Sequence, residues 1–520
     1  MKLSTRHSGH WRGICIAFLA TVFLLATGRG NELVWVPGRV FWDSSSPNWS
    51  RVSSPDDNLQ WESGSDAIFG EETGIVFLGS SQINVSSLSF SETATIAGGS
   101  LNFTGSSRID AGNNETVYID SAISGSNGLL LGSRSEGVII ISGSNSFEGV
   151  TTVNSGTWLG VESDTALGWP GEGTVIRSGA TLALGDVNIT GEEITIAGNG
   201  ASSALGAIHQ GGNIPRASLS GSISLSQDSK VGSAGQLDLD GPVNTNGEEL
   251  TLSASRSGQI QVNGSILGSN LGEGNNVTFE GGGLVVLRNS NTYEGATLIN
   301  GGTTLSVQAA NGLPGLSGRS ALIMDDLGEG GSSLLIGQES DQVVSLLDGS
   351  TTSSIILNSD LTVGHVGIGT PSNFQGVIEG NGSVIKDGIN TQELSGPNIY
   401  DGDTTVRSGV LVVSNPSGLG SSVRGAVVET GATLILDDVS IADEAMVISG
   451  NGDIGQGALV GAGEEVSLGG PISLAGDSTI YGSTGTTLSL GGAVDRGVNE
   501  LEIRSDGTID INGSLFGGTN

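Results

Sequence analysis

The chain has 520 residues, of which 88 are glycine and only 4% are aromatic, and its formal net charge is −35. This length exceeds what one ordinary globular core fills. The glycines have no three-residue period, which excludes collagen, and the negative charge disfavours nucleic acid and anionic membranes as partners. The composition favours narrow strands of Val, Ile, Leu, Ser and Thr, stacked so that each coil packs only on its neighbours.

Residues 1–28 have the pattern of a signal peptide. The basic region contains Lys2, Arg6 and Arg12. The apolar run 14–26 that follows is short for a membrane span, and we place the cleavage after Gly28. An uncleaved anchor is the alternative. Cys15, the only cysteine, lies in this leader, so the mature chain forms no disulfide. We also expect no membrane span in the mature chain, since no later segment is long and apolar enough.

Residues 29–74 form a second element, which is rich in tryptophan. Its tryptophans are Trp35, Trp42, Trp49 and Trp61. One interpretation is an aromatic platform for sugars. We favour an N-terminal cap, because the open end of a stack of coils needs large side chains to cover its first rung.

From Ile75 to Asn520 the chain consists of short apolar alternations, such as 237–239 and 509–511, separated by Gly, Asn, Asp and Ser. Alternation of this kind predicts strands with one buried and one solvated face, on which Asp238 and Asp510 mark the solvated side. No sustained helical period occurs outside the leader. We therefore predict an all-β fold, a right-handed parallel β-helix solenoid over 75–520 with roughly 20 residues per coil.

Three stretches, 142–159, 288–305 and 395–412, repeat one signature of Asn, an aromatic residue, an acid followed by Gly, and a second Gly. The matched positions are Asn145, Phe147, Gly149 and Gly156; Asn291, Tyr293, Gly295 and Gly302; and Asn398, Tyr400, Gly402 and Gly409. We predict structural roles for all of them. Asn side chains can ladder between coils, Gly supplies positive φ at corners, and the aromatic ring covers the turn. Sugar binding by the three rings is the alternative.

A longer repeat relates residues 178–265 to 430–514, and it places Asp186 opposite Asp438 and Glu192 opposite Glu444. A catalytic site usually occurs once, so acids that return at the same position favour turn chemistry. His209 and His365 are too few and too far apart in sequence for a metal site or a triad. We therefore predict no catalytic, cofactor-binding or metal-binding residues and no cofactor.

The three signatures resemble the autotransporter-associated β-strand repeat of large secreted and surface proteins of Gram-negative-type bacteria, and residues 292–295 match its pattern well. The resemblance implies a passenger-type parallel β-helix at the cell surface or secreted, structural or adhesive and not an enzyme. Its partner would be a surface ligand, with glycan or matrix as candidates, and we expect a monomeric rod. The alternative is a carbohydrate-binding or polysaccharide-degrading β-helix protein. Members end in a translocator barrel, whereas this sequence stops within a module at Asn520, so we expect a fragment.

Overall fold

The computed structural model describes residues 31–518 except 81, 134–135, 203–204, 269–275, 316–319, 326–329 and 365–370. The predicted signal peptide with Cys15, and His365, lie outside the described residues. The chain divides into two compact units, Met1–Leu182 (unit 1) and Ala183–Asn520 (unit 2).

Unit 1 is a parallel β-solenoid whose coils have three faces. Face 1 carries β1, β5, the second halves of β7 and β9, β12, β14 and β16; face 2 carries β2, β6, β8, β10, β13 and β15; face 3 carries the first halves of β7 and β9, and β11. The described strands β1 to β16 are Glu32–Trp35, Phe41–Trp42, Trp49–Arg51, Ser54–Leu59, Asp66–Phe69, Gly74–Leu78, Gln82–Phe90, Ala94–Ala97, Ser100–Ala111, Thr116–Ile119, Ala122–Gly125, Leu130–Ser133, Gly137–Ile141, Thr151–Val153, Thr157–Val161 and Thr174–Ile176.

Alternation decides which side chains enter the interior of unit 1. On face 2, the parallel registers stack one inward aliphatic residue from each coil directly on the next. This stack, in which every member is at most 1% exposed, consists of Val76, Ile96, Ile119, Ile141 and Val161. Burial of such a side chain contributes about 1.5–3 kcal/mol, so repetition along the stack stabilises the whole unit.

The first coil of unit 1 differs from the others because its interior is aromatic. Trp35, Trp42, Trp49 and Trp61 are all at most 6% exposed, and together with Phe69 they form one cluster whose contacting rings have centroids between 4.6 and 6.0 Å apart. Strand β3 pairs antiparallel with β1 and with β4, so a short meander covers the edge of β1. The outer strand β4 contains Pro55, Asp56 and Asp57, residue types that discourage further pairing at an edge.

Unit 2 is also a parallel β-solenoid with three faces, here named X, Y and Z. In chain order after β17 (Thr181–Leu184), which crosses the unit boundary, the described strands β18 to β55 are Asn188–Ile189, Ile194–Gly198, Ile208–Gln210, Ala217–Leu219, Ile223–Ser233, Gln236–Leu239, Val243–Asn244, Leu250–Ala254, Gln259–Val262, Ile266–Leu267, Val277–Glu280, Leu284–Leu287, Thr297–Ile299, Thr304–Val307, Ala321–Met324, Ser333–Ile336, Gln342–Val344, Leu346–Gly349, Ser354–Leu357, Leu361–Val363, Ser372–Phe374, Val377–Gly380, Val384–Lys386, Thr391–Leu394, Thr404–Val406, Gly409–Val413, Ala426–Val428, Ala432–Asp437, Ser440–Ile441, Met446–Gly450, Leu459–Ala462, Glu465–Leu468, Ile472–Gly482, Thr487–Leu490, Val494–Asp495, Leu501–Ser505, Thr508–Ile511 and Leu515–Phe516.

Face X carries the first halves of β22 and β50 and the strands β19, β24, β27, β34, β37, β40, β42, β44, β47, β52 and β55. Face Y carries the second halves of β22 and β50 and the strands β20, β25, β28, β30, β32, β35, β38, β41, β43, β45, β48 and β53. Face Z carries β18, β21, β23, β26, β29, β31, β33, β36, β39, β46, β49, β51 and β54. Face Y is one continuous ladder from β20 to β53, whereas the other two faces are interrupted. Face X has one ladder that ends at β27 and another that starts at β34. Face Z has one ladder that ends at β39 and another that starts at β46. The second signature lies in the gap of face X and the third lies in the gap of face Z. A ladder interruption therefore accompanies each signature of unit 2.

The prediction of an all-β parallel solenoid is confirmed. Within the described ranges, the helical content is a single 3-10 turn, Asp453–Gly455. No helix among these residues is long and apolar enough to cross a membrane. One detail is wrong: Asp238, predicted to be solvated, is only 1% exposed because the guanidinium of Arg216 covers it, with Nε donating to Asp238 Oδ2 over 2.7 Å.

Candidate functional site

The three signature asparagines occupy the same position between two coils. Asn145 Oδ1 accepts the amide of Ile123 at 2.8 Å, and its Nδ2 donates to the carbonyl of Ala166 at 2.7 Å. Asn291 bonds Ile266 N at 2.8 Å and Gly312 O at 2.6 Å. Asn398 bonds Ile378 N and Gly418 O, both at 2.9 Å. Each carboxamide therefore joins the preceding coil to the following one.

This arrangement follows from the chemistry of the carboxamide group, which carries the same donor and acceptor as a peptide unit. The parts of the signatures around the asparagines, 142–150, 288–296 and 395–403, are not strands, so the regular ladder is reduced there to single backbone bonds such as Ser146 N to Ile123 O at 2.8 Å. The three asparagines are at most 6% exposed, and their amides supply the missing bonds in a place where unpaired backbone groups would be costly. The partners are backbone groups, which differs from the predicted Asn-to-Asn ladder.

The signature aromatics are buried beneath the turn. Phe147, Tyr293 and Tyr400 are at most 1% exposed, which leaves no ring face for a sugar. The hydroxyl of Tyr293 pairs with Thr297 Oγ1 at 2.7 Å, and that of Tyr400 pairs with the equivalent Thr404. Burial raises the pKa of both phenols.

Five of the six signature glycines occupy positions where the geometry requires glycine. Positive φ angles between 68° and 84° occur at Gly149, Gly156, Gly302 and Gly409. At Gly402 the constraint is close approach, because a Cβ there would collide with the carbonyl of Gly382. Gly295 lies in the turn between Tyr293 and β30. The acids beside them, Glu148, Glu294 and Asp401, project outward.

The sequence also contains partners for the signatures that we did not predict. One coil after each asparagine, at +21, +21 and +20, a short motif supplies the accepting carbonyl and then a buried leucine. The motifs are Ala166-Leu167-Gly168, Gly312-Leu313-Pro314 and Gly418-Leu419-Gly420. Gly168 and Gly420 are required by proximity, since a Cβ at either would approach the ring of Phe147 or Tyr400 to 2.7 or 2.8 Å.

Buried glutamines repeat the same chemistry where coils are irregular. Gln342 accepts the amide of Leu313 at 2.8 Å and donates to Ala309 O at 2.9 Å. Gln392 donates to Leu347 O at 2.9 Å across a part of face Y where β35 and β38 share one register pair. Their inward positions in alternating strands were readable from the sequence, but their bonding partners depend on long-range coil stacking.

Two buried ionisable groups of unit 2, Glu444 and Lys386, have strongly shifted pKa values. Burial raises the pKa of Glu444 to about 7 and lowers that of Lys386 to about 8. Lys386 Nζ donates to Gly388 O at 2.6 Å and to Ser408 O at 3.0 Å. Glu192 and Glu444 are each 3% exposed, so these equivalent acids lie inside rather than on solvated turns. Within the described ranges, no group of His, Cys, Asp and Glu is arranged to hold a metal ion.

These features define the class: a parallel β-solenoid repeat protein whose coils are joined by buried carboxamides. Residues 136–157, 280–307 and 384–413 match the family described as passenger-associated-transport-repeat, and these segments overlap the three signatures. The chain is also similar to a protein of Brucella suis biovar 1 (strain 1330) named Adhesin BmaC autotransporter, with 26% identity over 508 residues. The alignment covers 78% of this chain and 15% of that protein. The predicted repeat resemblance is confirmed, and no solved structure matches.

Proposed function

We propose that this chain is part of a secreted or surface-displayed passenger region, in which a non-catalytic β-solenoid presents adhesive faces. The observation that carries the proposal is the use of the signature residues. The amides, rings and glycines of the signatures hold neighbouring coils together in the buried interior. Side chains available to a partner are therefore the outward residues of the faces, which suits contact over an extended surface.

The similarity to a protein named as an adhesin and autotransporter supports this function. The chain spans about 15% of that relative's length, so the activity of the whole relative is carried over only as a proposal. With it we propose export by the signal peptide 1–28, a capping segment 29–74, a repeat region 75–520 and a monomeric state. The partner is a ligand outside the cell.

The carbohydrate alternative predicts either glycan binding or glycan cleavage. The aromatic groups on which it depended, the four tryptophans of 29–74 and the three signature rings, are buried. A non-catalytic role is further supported by the burial of Glu444 and Lys386, because neither side chain is exposed to a substrate.

Display on particles tests the proposal. Beads coated with residues 29–520 should adhere to extracellular matrix or to cell layers above the level of beads coated with an unrelated acidic protein. The same preparation, incubated with a panel of polysaccharides, should release no reducing ends above background. Adhesion equal to the control beads contradicts the adhesive role, and sustained depolymerisation contradicts the non-catalytic one.

A further inference from the structure

Face 2 of unit 1 presents large apolar side chains on its outer side in five of its six strands, the exception being β8. The outward residues concerned, which we name the face-2 stripe, are Phe41, Ile75, Phe77, Tyr118, Val138, Ile140 and Trp158. The first four are 62%, 51%, 41% and 38% exposed. Isolated exposed apolar residues are ordinary, but a contiguous group on one flat sheet marks an interaction surface.

The registers show that the stripe is continuous except at β8, where Thr95 and Ala97 hold the outward positions. Phe41 pairs with Phe77, and their ring centroids lie 6.2 Å apart. One coil after Thr95 comes Tyr118, which pairs in turn with Ile140. Trp158 follows Val138 in the next register column. At about 4.8 Å per coil, the stripe extends roughly 24 Å along the face.

The other two faces of unit 1 are polar over the same coils. On face 3, Asn102 Nδ2 donates to Asn84 Oδ1 at 2.9 Å, and Ser124 Oγ donates to Asn102 Oδ1 at 3.3 Å. On face 1, Ser87 Oγ donates to Asp66 Oδ1 at 2.6 Å. Polar side chains therefore satisfy each other along those faces, whereas the outward residues of the face-2 stripe are aliphatic or aromatic. Among the three faces of unit 1, face 2 is therefore the apolar one over these coils.

A row of carboxylates borders the stripe where face 1 turns into face 2. Glu72, Glu92 and Glu115 hold equivalent positions before β6, β8 and β10, and we name them the acidic edge. The amide of Glu72 donates to Glu92 Oε2 at 3.4 Å, and Thr93 Oγ1 donates to Glu115 Oε2 at 2.7 Å. Because like charges on neighbouring strands repel, this row of carboxylates lowers the stability of the isolated unit.

We propose that face 2 of unit 1 docks a polypeptide surface that is both apolar and cationic, with Leu or aromatic side chains on the stripe and Lys or Arg against the acidic edge. The inference rests on the proposed function, in which this face is displayed outside the cell. Aromatic residues that bury on a partner supply affinity, and the acidic edge selects the partner's charge. A second copy is disfavoured because it would bring a second acidic edge, and a neutral glycan makes no use of the carboxylates.

A designed peptide tests the docking chemistry directly. The probe is a fluorescently labelled 12-residue peptide of alternating Leu and Lys, titrated into residues 29–520 and followed by anisotropy. A Ser–Lys peptide removes the apolar component and a Leu–Glu peptide reverses the charge. We expect saturable binding of the Leu–Lys peptide alone, weakened by added salt as ion pairs at an exposed edge are screened.

Two variants and two matched controls separate the contributions. The combined Ile75→Ser, Phe77→Ser and Tyr118→Ser variant should weaken binding about tenfold or more. The combined Glu72→Gln, Glu92→Gln and Glu115→Gln variant should weaken binding and remove most of its salt dependence. Controls alter exposed residues away from face 2: Val52→Ser, Val150→Ser and Trp169→Ser for the first, and Glu62→Gln, Glu148→Gln and Glu172→Gln for the second. Unchanged circular dichroism establishes that each variant is folded.

Several outcomes overturn the proposal. Equal binding of the Ser–Lys peptide, or equal loss in the Val52, Val150 and Trp169 control, shows that the stripe is not the site. Retention of cello-oligosaccharides by the parent but not by the stripe variant, without peptide binding, makes a glycan the occupant. If the parent is a dimer and the stripe variant is a monomer, the occupant of face 2 is a second copy of the chain. If coated beads adhere but the peptide does not bind, this inference fails while the proposed adhesive function stands.

Discussion

The first coil of unit 1 and the middle coils of unit 2 both join the next coil through parallel ladders, but the first has an aromatic interior and the others contain buried polar side chains. In unit 1 the interior is closed by tryptophans, and Nε1 of Trp35, Trp42 and Trp49 has no hydrogen-bond acceptor. The rings pack edge to face, with centroids 5.1 Å apart for Trp35 and Trp49 and 5.0 Å apart for Trp42 and Trp49. In unit 2, Gln392 and Lys386 are at most 1% exposed and bond backbone carbonyls. A coil is thus defined by its ladder, and its interior varies coil by coil provided polar groups are satisfied.

Removal of a ring from the aromatic interior should have the largest effect. Trp49→Ala removes a fully buried side chain that contacts Trp35, Trp42, Trp61 and Phe69, and we expect a loss of about 3–5 kcal/mol in the free energy of unfolding of unit 1. Every tryptophan after residue 30 lies in unit 1, so tryptophan fluorescence during urea unfolding reports on this unit. Trp169→Ala, at a residue 65% exposed, is the control. Equal urea midpoints for the two variants would show that the cluster does not stabilise the unit.

The polar interior should be most sensitive at its carboxamides. Asn398→Ala leaves the amide of Ile378 and the carbonyl of Gly418 buried without their partner, and we expect a local loss of about 2–4 kcal/mol. Hydrogen exchange of peptides covering 378–420 measures this loss. The control is Asn381→Ala, at an exposed asparagine of the same unit. Unchanged exchange in Asn398→Ala would contradict a role in joining coils.

Glu444 gives unit 2 a stability that falls as the pH rises. Burial raises its pKa from 4.5 to about 7, so the folded state holds the proton more tightly than the unfolded state. The penalty is absent below pH 4.5, grows between 4.5 and 7, and is complete above 7. Glu444→Gln should therefore gain about 1–3 kcal/mol over the parent at pH 8 and little at pH 4. A gain of the same size at both pH values would show that ionisation is not the cause.

Lys386 should give a smaller effect of opposite slope. Burial lowers its pKa from 10.5 to about 8, so the charged form is disfavoured in the fold below pH 8 and the penalty disappears as the pH rises to 10.5. Lys386→Met keeps an unbranched apolar stem, and its unfolding free energy should lack the rise of about 1–2 kcal/mol that the parent shows between pH 8 and 10.5. Urea unfolding followed by far-ultraviolet circular dichroism at both pH values checks this. A parent without that rise contradicts the assignment.

The local alternation of apolar and polar residues was enough to predict the strands. At 83–85 or 488–490, for example, it shows which side chains point inward without information about the neighbouring coils. Self-comparison was enough to find Asn145, Asn291 and Asn398. The face on which a signature lies was not predictable, because it depends on the lengths of all corners before it: Asn291 lies on face X and Asn398 on face Z. Burial of Asp238 and Glu444 was also missed, because solvation depends on the coil above and below rather than on alternation.

The placement of equivalent asparagines on two different faces has a consequence for how such chains lengthen. Each signature carries its own connectors to the coil before and the coil after, through one side chain and two backbone groups. A block of sequence that contains a signature and the carbonyl motif one coil later can therefore be inserted or duplicated without matching the rest of the stack to a fixed corner. Each signature with its motif connects neighbouring coils through the same hydrogen bonds wherever it occurs. Chains assembled from such blocks can therefore change length while the local chemistry of each connection stays the same.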